Sequence, residues 1–289
     1  MRTIVLLLLG VVMVVFAAPA LVHAKEAPQG ALHMGGVEIQ ALSVVRNELQ
    51  AGILKPETDA QRQKIAADYP QGLIRNSLNV LLLRGNGVVA LVDTGYARTV
   101  PELLAALQGA GVTPQDVTHV ILTHAHGDHI GGLLQDGRPV FPKAQILFSK
   151  KELEHWTSPA RQAAAPENAR GIFAAVGAVV QAYGERVASF TPGSEICAGL
   201  PGIQAIDESG HTPGHVGIMA KADGKTFLFW SDLLHAFDVQ AAYPAVSASY
   251  DMDPAAAAQV RTRILQQARD GGWLVTGSHV PFVQPQQLQ

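Results

Sequence analysis

Residues Thr123–His129 read T-H-A-H-G-D-H, directly after the apolar β-type run Val117–Leu122. Three histidines and an aspartate therefore crowd the end of one predicted strand. His124 and His126 stand two apart and can point the same way, gripping one cation. Asp128 and His129 come where the loop turns toward a helix, and can face a second cation beside the first. Imidazole and carboxylate suit zinc and similar borderline metals. The alternative is a polar strand end with histidines that only cap the next helix. Four ligand-type residues in so short a stretch argue against it.

One loop does not complete a metal's coordination. Three more donors sit where later β runs end. His211 and His215 lie in Gly210-His211-Thr212-Pro213-Gly214-His215, after the run Ile203–Ile206. Asp232 follows Phe229-Trp230-Ser231, and His279 follows Gly277-Ser278. Strand ends are where α/β architectures gather their sites. His124, His126, Asp128, His129, His211, Asp232 and His279 suffice for two metals with open positions for water.

The rest of the chain supplies a frame for these ends. Val37–Val45 reads as a first strand, Pro56–Tyr69 as polar helix or loop. Leu78–Leu83 and Val88–Val92 read as a hairpin about Gly85-Asn86-Gly87, broken by Asp93-Thr94-Gly95. Thr99-Val100-Pro101-Glu102 has the form of a capping box, opening a helix stopped by Gly109 and Gly111. Gln145–Phe148 is a strand, and helical patterns cover 150–156 and about 160–183. Val216–Ala220 and Thr226–Trp230 pair around Asp223-Gly224. Asp253-Pro254 caps a helix whose apolar face is Ala257, Val260, Ile264 and Ala268, and Trp273–Thr276 is the last strand. Strands, helix, strand and helices are followed by strands, helix and strand. The order predicts two packed sheets with helices outside, in one domain from 37 to 289.

Composition narrows the function. Hydrophobic residues make up 48% and charged residues 16% of the chain, which excludes disorder. The formal charge of −3 and the absence of a Lys/Arg run disfavour nucleic acid as a partner. The one cysteine, Cys197, excludes an intrachain disulfide and a cysteine-rich zinc site; it reads as an inert thiol. Arg2, the apolar run Ile4–Ala18 and the small residue Ala24 follow the order of a secretory signal peptide, residues 1–24. The expectation is cleavage after Ala24, no stable membrane insertion afterwards, and a periplasmic or secreted location. Residues 25–36 read as a loose tail.

These motifs together resemble the metallo-β-lactamase superfamily, over residues 75 to 282 or so. The resemblance implies an α/β fold of the αββα four-layer sandwich type with a dinuclear site at one edge of the sheets. It assigns His124, His126 and His211 to one metal, Asp128, His129 and His279 to the other, and Asp232 as a bridge to both. It makes Asp93 a brace for the metal loop. The implied cofactors are two divalent ions, zinc first, with manganese, iron or cobalt as alternatives. A bridging hydroxide would be the nucleophile, with Asp128 and Asp232 as catalytic residues and Asp128 passing a proton to the leaving group.

Within the superfamily, the closest resemblance is to the methyl parathion hydrolase and N-acyl-homoserine lactonase-like branch. Leu91–Gly95, Leu122–Gly132, Trp230–Gln240 and Gly277–Phe282 carry it. The expected substrate is a small ester, lactone or phosphotriester, and a homodimer is allowed for. Ser231 stands where a glycine usually precedes the bridging Asp, and Gln284–Gln289 shows no strand pattern. Two rivals are a mononuclear iron dioxygenase of the persulfide type and a glyoxalase II-like thioesterase. The first leaves the second metal position empty; the second carries a basic helical extension. His215 reads as structural and His235 as a loop histidine within reach of substrate. Trp156, Phe173, Trp230, Phe237 and Phe282 are candidates for an apolar pocket wall.

Overall fold

The computed structural model describes residues 30–288. The expected signal peptide lies outside the described residues. A seven-stranded sheet runs in the order Leu32–Met34, Val37–Gln50, Leu73–Gly85, Val88–Val92, His119–Ile121, Gln145–Ser149, Val187–Phe190. A five-stranded sheet runs Ile203–Asp207, Val216–Ala222, Lys225–Phe229, Leu274–Thr276, Gln286–Gln287.

The strands alternate, but both of their faces are apolar. Val80 and Leu82 point to one buried cluster, which the helices Val100–Gly109 and Glu167–Tyr183 close with Leu103, Leu107, Phe173 and Val176. Leu81 and Leu83 point the other way, onto Ile218, Ala220, Phe227 and Phe229 of the second sheet. Met219, Leu228 and Val275 leave that sheet on its far side and meet Ile264, Leu265 and Ala268 of the helix Pro254–Asp270. Four layers result, helix, sheet, sheet, helix. Unbroken apolar runs such as Leu81–Leu83 are what a sheet covered on both faces demands. Each fully buried Leu, Val or Phe in it contributes about 1.5–3 kcal/mol.

Parallel pairing aims the strands at one end of the sandwich. Val88–Val92, His119–Ile121 and Gln145–Ser149 are mutually parallel, as are Lys225–Phe229 and Leu274–Thr276. Their C-terminal ends carry Asp93, Thr123-His124, Ser231-Asp232 and Ser278-His279.

Several local expectations need correcting. Thr99 makes no capping box: its hydroxyl donates to the Tyr96 carbonyl at 3.0 Å, and a 3-10 turn, Ala97–Thr99, leads into the helix instead. The helical pattern 160–183 is two helices, Pro159–Ala164 and Glu167–Tyr183. Pro166 separates them, forcing Ala165 into extended backbone (φ −70°, ψ 140°). The segment 25–36 holds a strand, Leu32–Met34, paired with Val37–Ile39. Gln286-Gln287 pairs antiparallel with Leu274-Val275, a strand that no side-chain alternation announces. In the helix Pro254–Asp270 the buried charged residue is Arg261, while Val260 is only half-buried. Among the described residues, no helix is long and apolar enough to cross a membrane.

Candidate metal centre

The Thr123–His129 loop is fixed from beneath by Asp93. This residue adopts φ +62°, a left-handed conformation rare outside glycine, and so turns its carboxylate back under the strand end. Its Oδ1 accepts the Thr123 N–H at 2.9 Å; Oδ2 accepts the Thr123 hydroxyl at 2.8 Å and faces His129 Nδ1 at 2.8 Å. The short helix Gly127–Ile130 then brings Asp128 and His129 round, and the glycines that follow permit the fit. A Cβ on Gly132 would lie 2.1 Å from the Thr94 carbonyl oxygen.

Two donor sets converge above this loop. In the first, His126 Nδ1 lies 3.1 Å from His124 Nε2 and 3.0 Å from His211 Nε2. Asp232 Oδ2 is 3.8 Å from His124 Nε2 and 3.4 Å from His211 Nε2. In the second, His279 Nε2 is 3.1 Å from Asp128 Oδ2, and His129 Nε2 is 3.8 Å from Asp128 Oδ1. Asp232 closes this set too, with Oδ1 3.1 Å from His129 Nε2 and Oδ2 3.3 Å from His279 Nε2. Each set can hold a metal ion, and so can a third grouping of Asp232, His235 and His279.

The metal that the resemblance implies fits these residues. Donors bound at 2.0–2.1 Å around a tetrahedral ion stand about 3.3 Å apart, which is the spacing seen. With Nδ1 of His124 and His211 directed at Thr123 and Asp251, neutral rings turn two bare Nε2 lone pairs toward His126 Nδ1, and the buried His129 Nε2, although 3.1 Å from Asp232 Oδ1, makes no well-aligned hydrogen bond.

The opposite ring nitrogens are held by a second layer of groups, which sets each tautomer. His129 leans on Asp93, His124 Nδ1 on the Thr123 hydroxyl at 3.1 Å, and His211 Nδ1 on Asp251 Oδ1 at 3.0 Å. Asp251 Oδ2 in turn accepts from Ala248 N at 2.9 Å and from the buried Arg261 Nη2 at 3.2 Å. Asn79 donates to the Gly277 carbonyl at 3.0 Å and pins the loop that carries His279. His215 belongs to none of the donor sets. It bridges the Glu208 carbonyl at 3.1 Å and the Asp232 N–H at 3.3 Å, the structural place expected for it.

Ser231, just before Asp232, holds a backbone conformation that favours glycine. Its φ is +44°, so a side chain is strained there. The hydroxyl partly compensates, lying 2.8 Å from Thr123 Oγ1 and 3.3 Å from Ser278 Oγ. It thereby ties the strand ends of both sheets together behind the donors.

Charge explains the electrostatics. Burial works against a charged His279, but Asp232 and Asp128 overcome it and push its pKa up to about 10. His129 is likewise raised, against burial, by Asp232, Asp93 and Asp128. Burial would also keep Asp232 neutral, yet His129, His279 and His124 hold its carboxyl well below the usual range. His126, buried and facing His211, falls to about 3. Two buried carboxylates, Asp128 and Asp232, among histidines call for cationic charge.

A cavity of about 720 Å³ opens on the donors. His126, Asp128, Asp232 and His279 form its polar end, and Trp156, Ile172 and Phe173 supply apolar wall. Trp156 and Phe173 thus fall where expected. Trp230, Phe237 and Phe282 do not: they pack under the Pro254–Asp270 helix, away from the cavity. Three lining residues were overlooked. His155 stacks on Phe173 and meets Trp156 edge-on, Tyr96 faces Asp128, and Tyr250 stands at the rim, 43% exposed. His235 is no mere loop histidine. It is buried, with Nε2 3.2 Å from Asp232 Oδ2 and its ring stacked on His279. Its spacing of three from Asp232 was the signal in the sequence.

With fold and donors in view, the family follows. The profile of the metallo-β-lactamase superfamily matches residues 74–279, and the chain belongs to that superfamily. A crystal structure of AbOPH, a hydrolase in the β-lactamase superfamily, is 26% identical, with a TM-score of 0.78 over 91% of this chain and 94% of that one. AidC, a dizinc quorum-quenching lactonase in complex with a product, N-hexanoyl-L-homoserine, is 25% identical, with a TM-score of 0.77 over 89% and 92%. A metallo-β-lactamase domain-containing protein 1 from Xenopus laevis is 45% identical over 71 residues, 25% of this chain. The match spans only 28% of that relative's length.

Proposed function

We propose that this chain is a dinuclear metal-dependent hydrolase that opens lactones or cleaves esters with an apolar acyl group, phosphotriesters being a further class. The observation that carries it is Asp232, buried between two complete donor sets and within 3.8 Å of both. His124, His126 and His211 would hold one ion, Asp128, His129 and His279 the other, and Asp232 both. Zinc suits these donors first. Divalent ions supply, when bound, a nucleophile from water at neutral pH and polarisation of the scissile carbonyl.

The protein's own groups do the rest. The cavity's apolar wall takes the acyl chain and directs the polar head of the substrate to Asp128 and Asp232. Asp128, kept ionised by His129 and His279, would take the proton that the attacking water gives up and pass it to the leaving oxygen. The Tyr96 phenol is pushed up to about 12 by burial and by Asp128, so it keeps its proton and can donate to a substrate oxygen. The AidC likeness supports the lactone, since that protein is described with an acyl-homoserine product. An iron dioxygenase reading fits less well, because Asp128, His129 and His279 would then converge to no purpose.

The test is acid release from a long-chain N-acyl-homoserine lactone by zinc- or manganese-loaded protein, beside an aryl ester and a phosphotriester. Ring opening that vanishes in Asp232→Ala supports the reading; one bound metal, or near-normal turnover in that variant, overturns the two-metal mechanism. Export after cleavage at Ala24 belongs to the same proposal, and N-terminal sequencing of the protein from the periplasm or medium checks it.

A further inference from the structure

Glu152 looks unremarkable in the sequence, one acid in the polar stretch Lys150–His155. In the fold it is 1% exposed. Its Oε1 accepts the Ala125 backbone N–H at 2.9 Å and the Trp156 indole N–H at 2.7 Å. Its Oε2 accepts the Thr212 hydroxyl at 2.9 Å and the Gly214 backbone N–H at 2.8 Å.

Those four donors come from three separate pieces of the site. Ala125 lies between His124 and His126. Thr212 and Gly214 belong to the loop that begins with His211. Trp156 is cavity wall. The contact is close-built: a Cβ on Gly214 would fall 2.3 Å from the Glu152 nitrogen, and Ser149 Oγ donates to the Gly214 carbonyl at 2.5 Å. The helix Lys150–Trp156 is thereby fastened directly to the His211 loop.

We infer that Glu152 is the positioning residue that sets His211 in register with His124 and His126, and couples this set to the Trp156 wall of the cavity. The inference rests on the proposed use of these histidines as metal ligands. An ionised carboxylate is the one side chain that accepts on all sides. Glutamine has a single acceptor oxygen. If its NH₂ faces Thr212 and Gly214, the threonine hydroxyl can turn to accept, but the Gly214 N–H cannot. If it faces the other way, two N–H donors, of Ala125 and Trp156, are opposed.

The experiment strips wild type and Glu152→Gln of metal and titrates both with cobalt, whose visible absorption reports coordination. Chelator competition gives the two dissociation constants, and His279→Ala identifies the constant of the other set. The expected result is a Kd for the His124/His126/His211 set raised about 10–100-fold, with an altered absorption band, and the other Kd changed less than about threefold. Thr212→Val, which removes one donor and spares the carboxylate, should move the same constant by a smaller factor. Leu103→Ala, in the core away from the donors, controls for lost stability and should move neither. If Glu152→Gln lowers Tm as Leu103→Ala does but leaves both constants alone, or weakens both equally, the inference is overturned. No substrate is involved. A wild type that binds metal but opens no lactone would defeat the proposed reaction and leave this test standing.

Discussion

Asp251→Ala probes the layer behind the donors. Asp251 carries two loads: it accepts from His211 Nδ1 at 3.0 Å, and it faces Arg261 Nη2 at 3.2 Å, both partners being at most 2% exposed. Its removal strands a buried guanidinium charge, which costs about 3–5 kcal/mol. For a domain of this size that lowers Tm by about 6–20 °C. It also frees the His211 ring, worth roughly 10–100-fold in metal affinity. Denaturant unfolding of the metal-free protein reads the first effect; chelator competition reads the second. The double variant Asp251→Ala/Arg261→Met should separate them. Stability returns in part, because the stranded charge is gone. It does not return fully, because Arg261 Nε also donates to the Leu233 carbonyl at 2.7 Å and Nη1 to the Val246 carbonyl at 3.0 Å. Metal affinity stays low, since His211 still lacks its partner. A single variant within about 1 kcal/mol of wild type, below the cost of breaking a buried pair, would refute the reasoning.

Other outcomes follow from the same geometry. Glu208 is buried with both carboxylate oxygens unpartnered, and burial raises its pKa well above the ordinary value. Burial makes its carboxyl easier to protonate in the folded than in the unfolded chain, so its contribution to stability falls as pH rises past the unfolded value of about 4.3. Glu208→Gln should therefore raise Tm at pH 8 and leave it unchanged near pH 3; a loss at pH 8 would contradict the assignment. His235→Ala removes a contact to the Asp232 carboxylate, worth roughly 1.5–3 kcal/mol, so kcat/KM should fall about 10–160-fold at normal metal content. Unchanged kinetics would return His235 to the role of a bystander. His215→Ala should retain both metals, because its ring nitrogens hydrogen-bond only backbone atoms, and metal analysis of the purified variant decides it.

The donors were legible because each motif is local. His124 to His129 occupy one loop, and His211, Asp232 and His279 each follow a recognisable β run. The two-sheet arrangement was legible for a similar reason, since apolar runs and turn residues mark strands one at a time. What sequence did not reveal is what depends on distant partners. Glu152 and Arg261 look like solvent-facing charges on polar helices until the fold buries them. Asp251 sits in an ordinary loop, Asp-Met-Asp-Pro, and gains meaning only from His211. Leu73–Gly85 begins ahead of its apolar stretch, where the buried Asn76 faces Asn47 on the paired strand and donates to its Oδ1 at 2.7 Å. The Thr99 capping box failed because Thr99 closes a 3-10 turn at ψ 14°, not the extended backbone that aims an N-cap oxygen at the first helical N–H groups.

Neither sheet owns a complete donor set. The first set needs His211 and Asp232 from the second sheet, and the second needs His279, far along the chain from Asp128. The geometry therefore closes late, when the sandwich has docked and its last strands are in place. Bound ions gain their hold only after that step. They should slow unfolding markedly and leave the folding rate nearly untouched, making the metal a latch on lifetime rather than a guide to assembly.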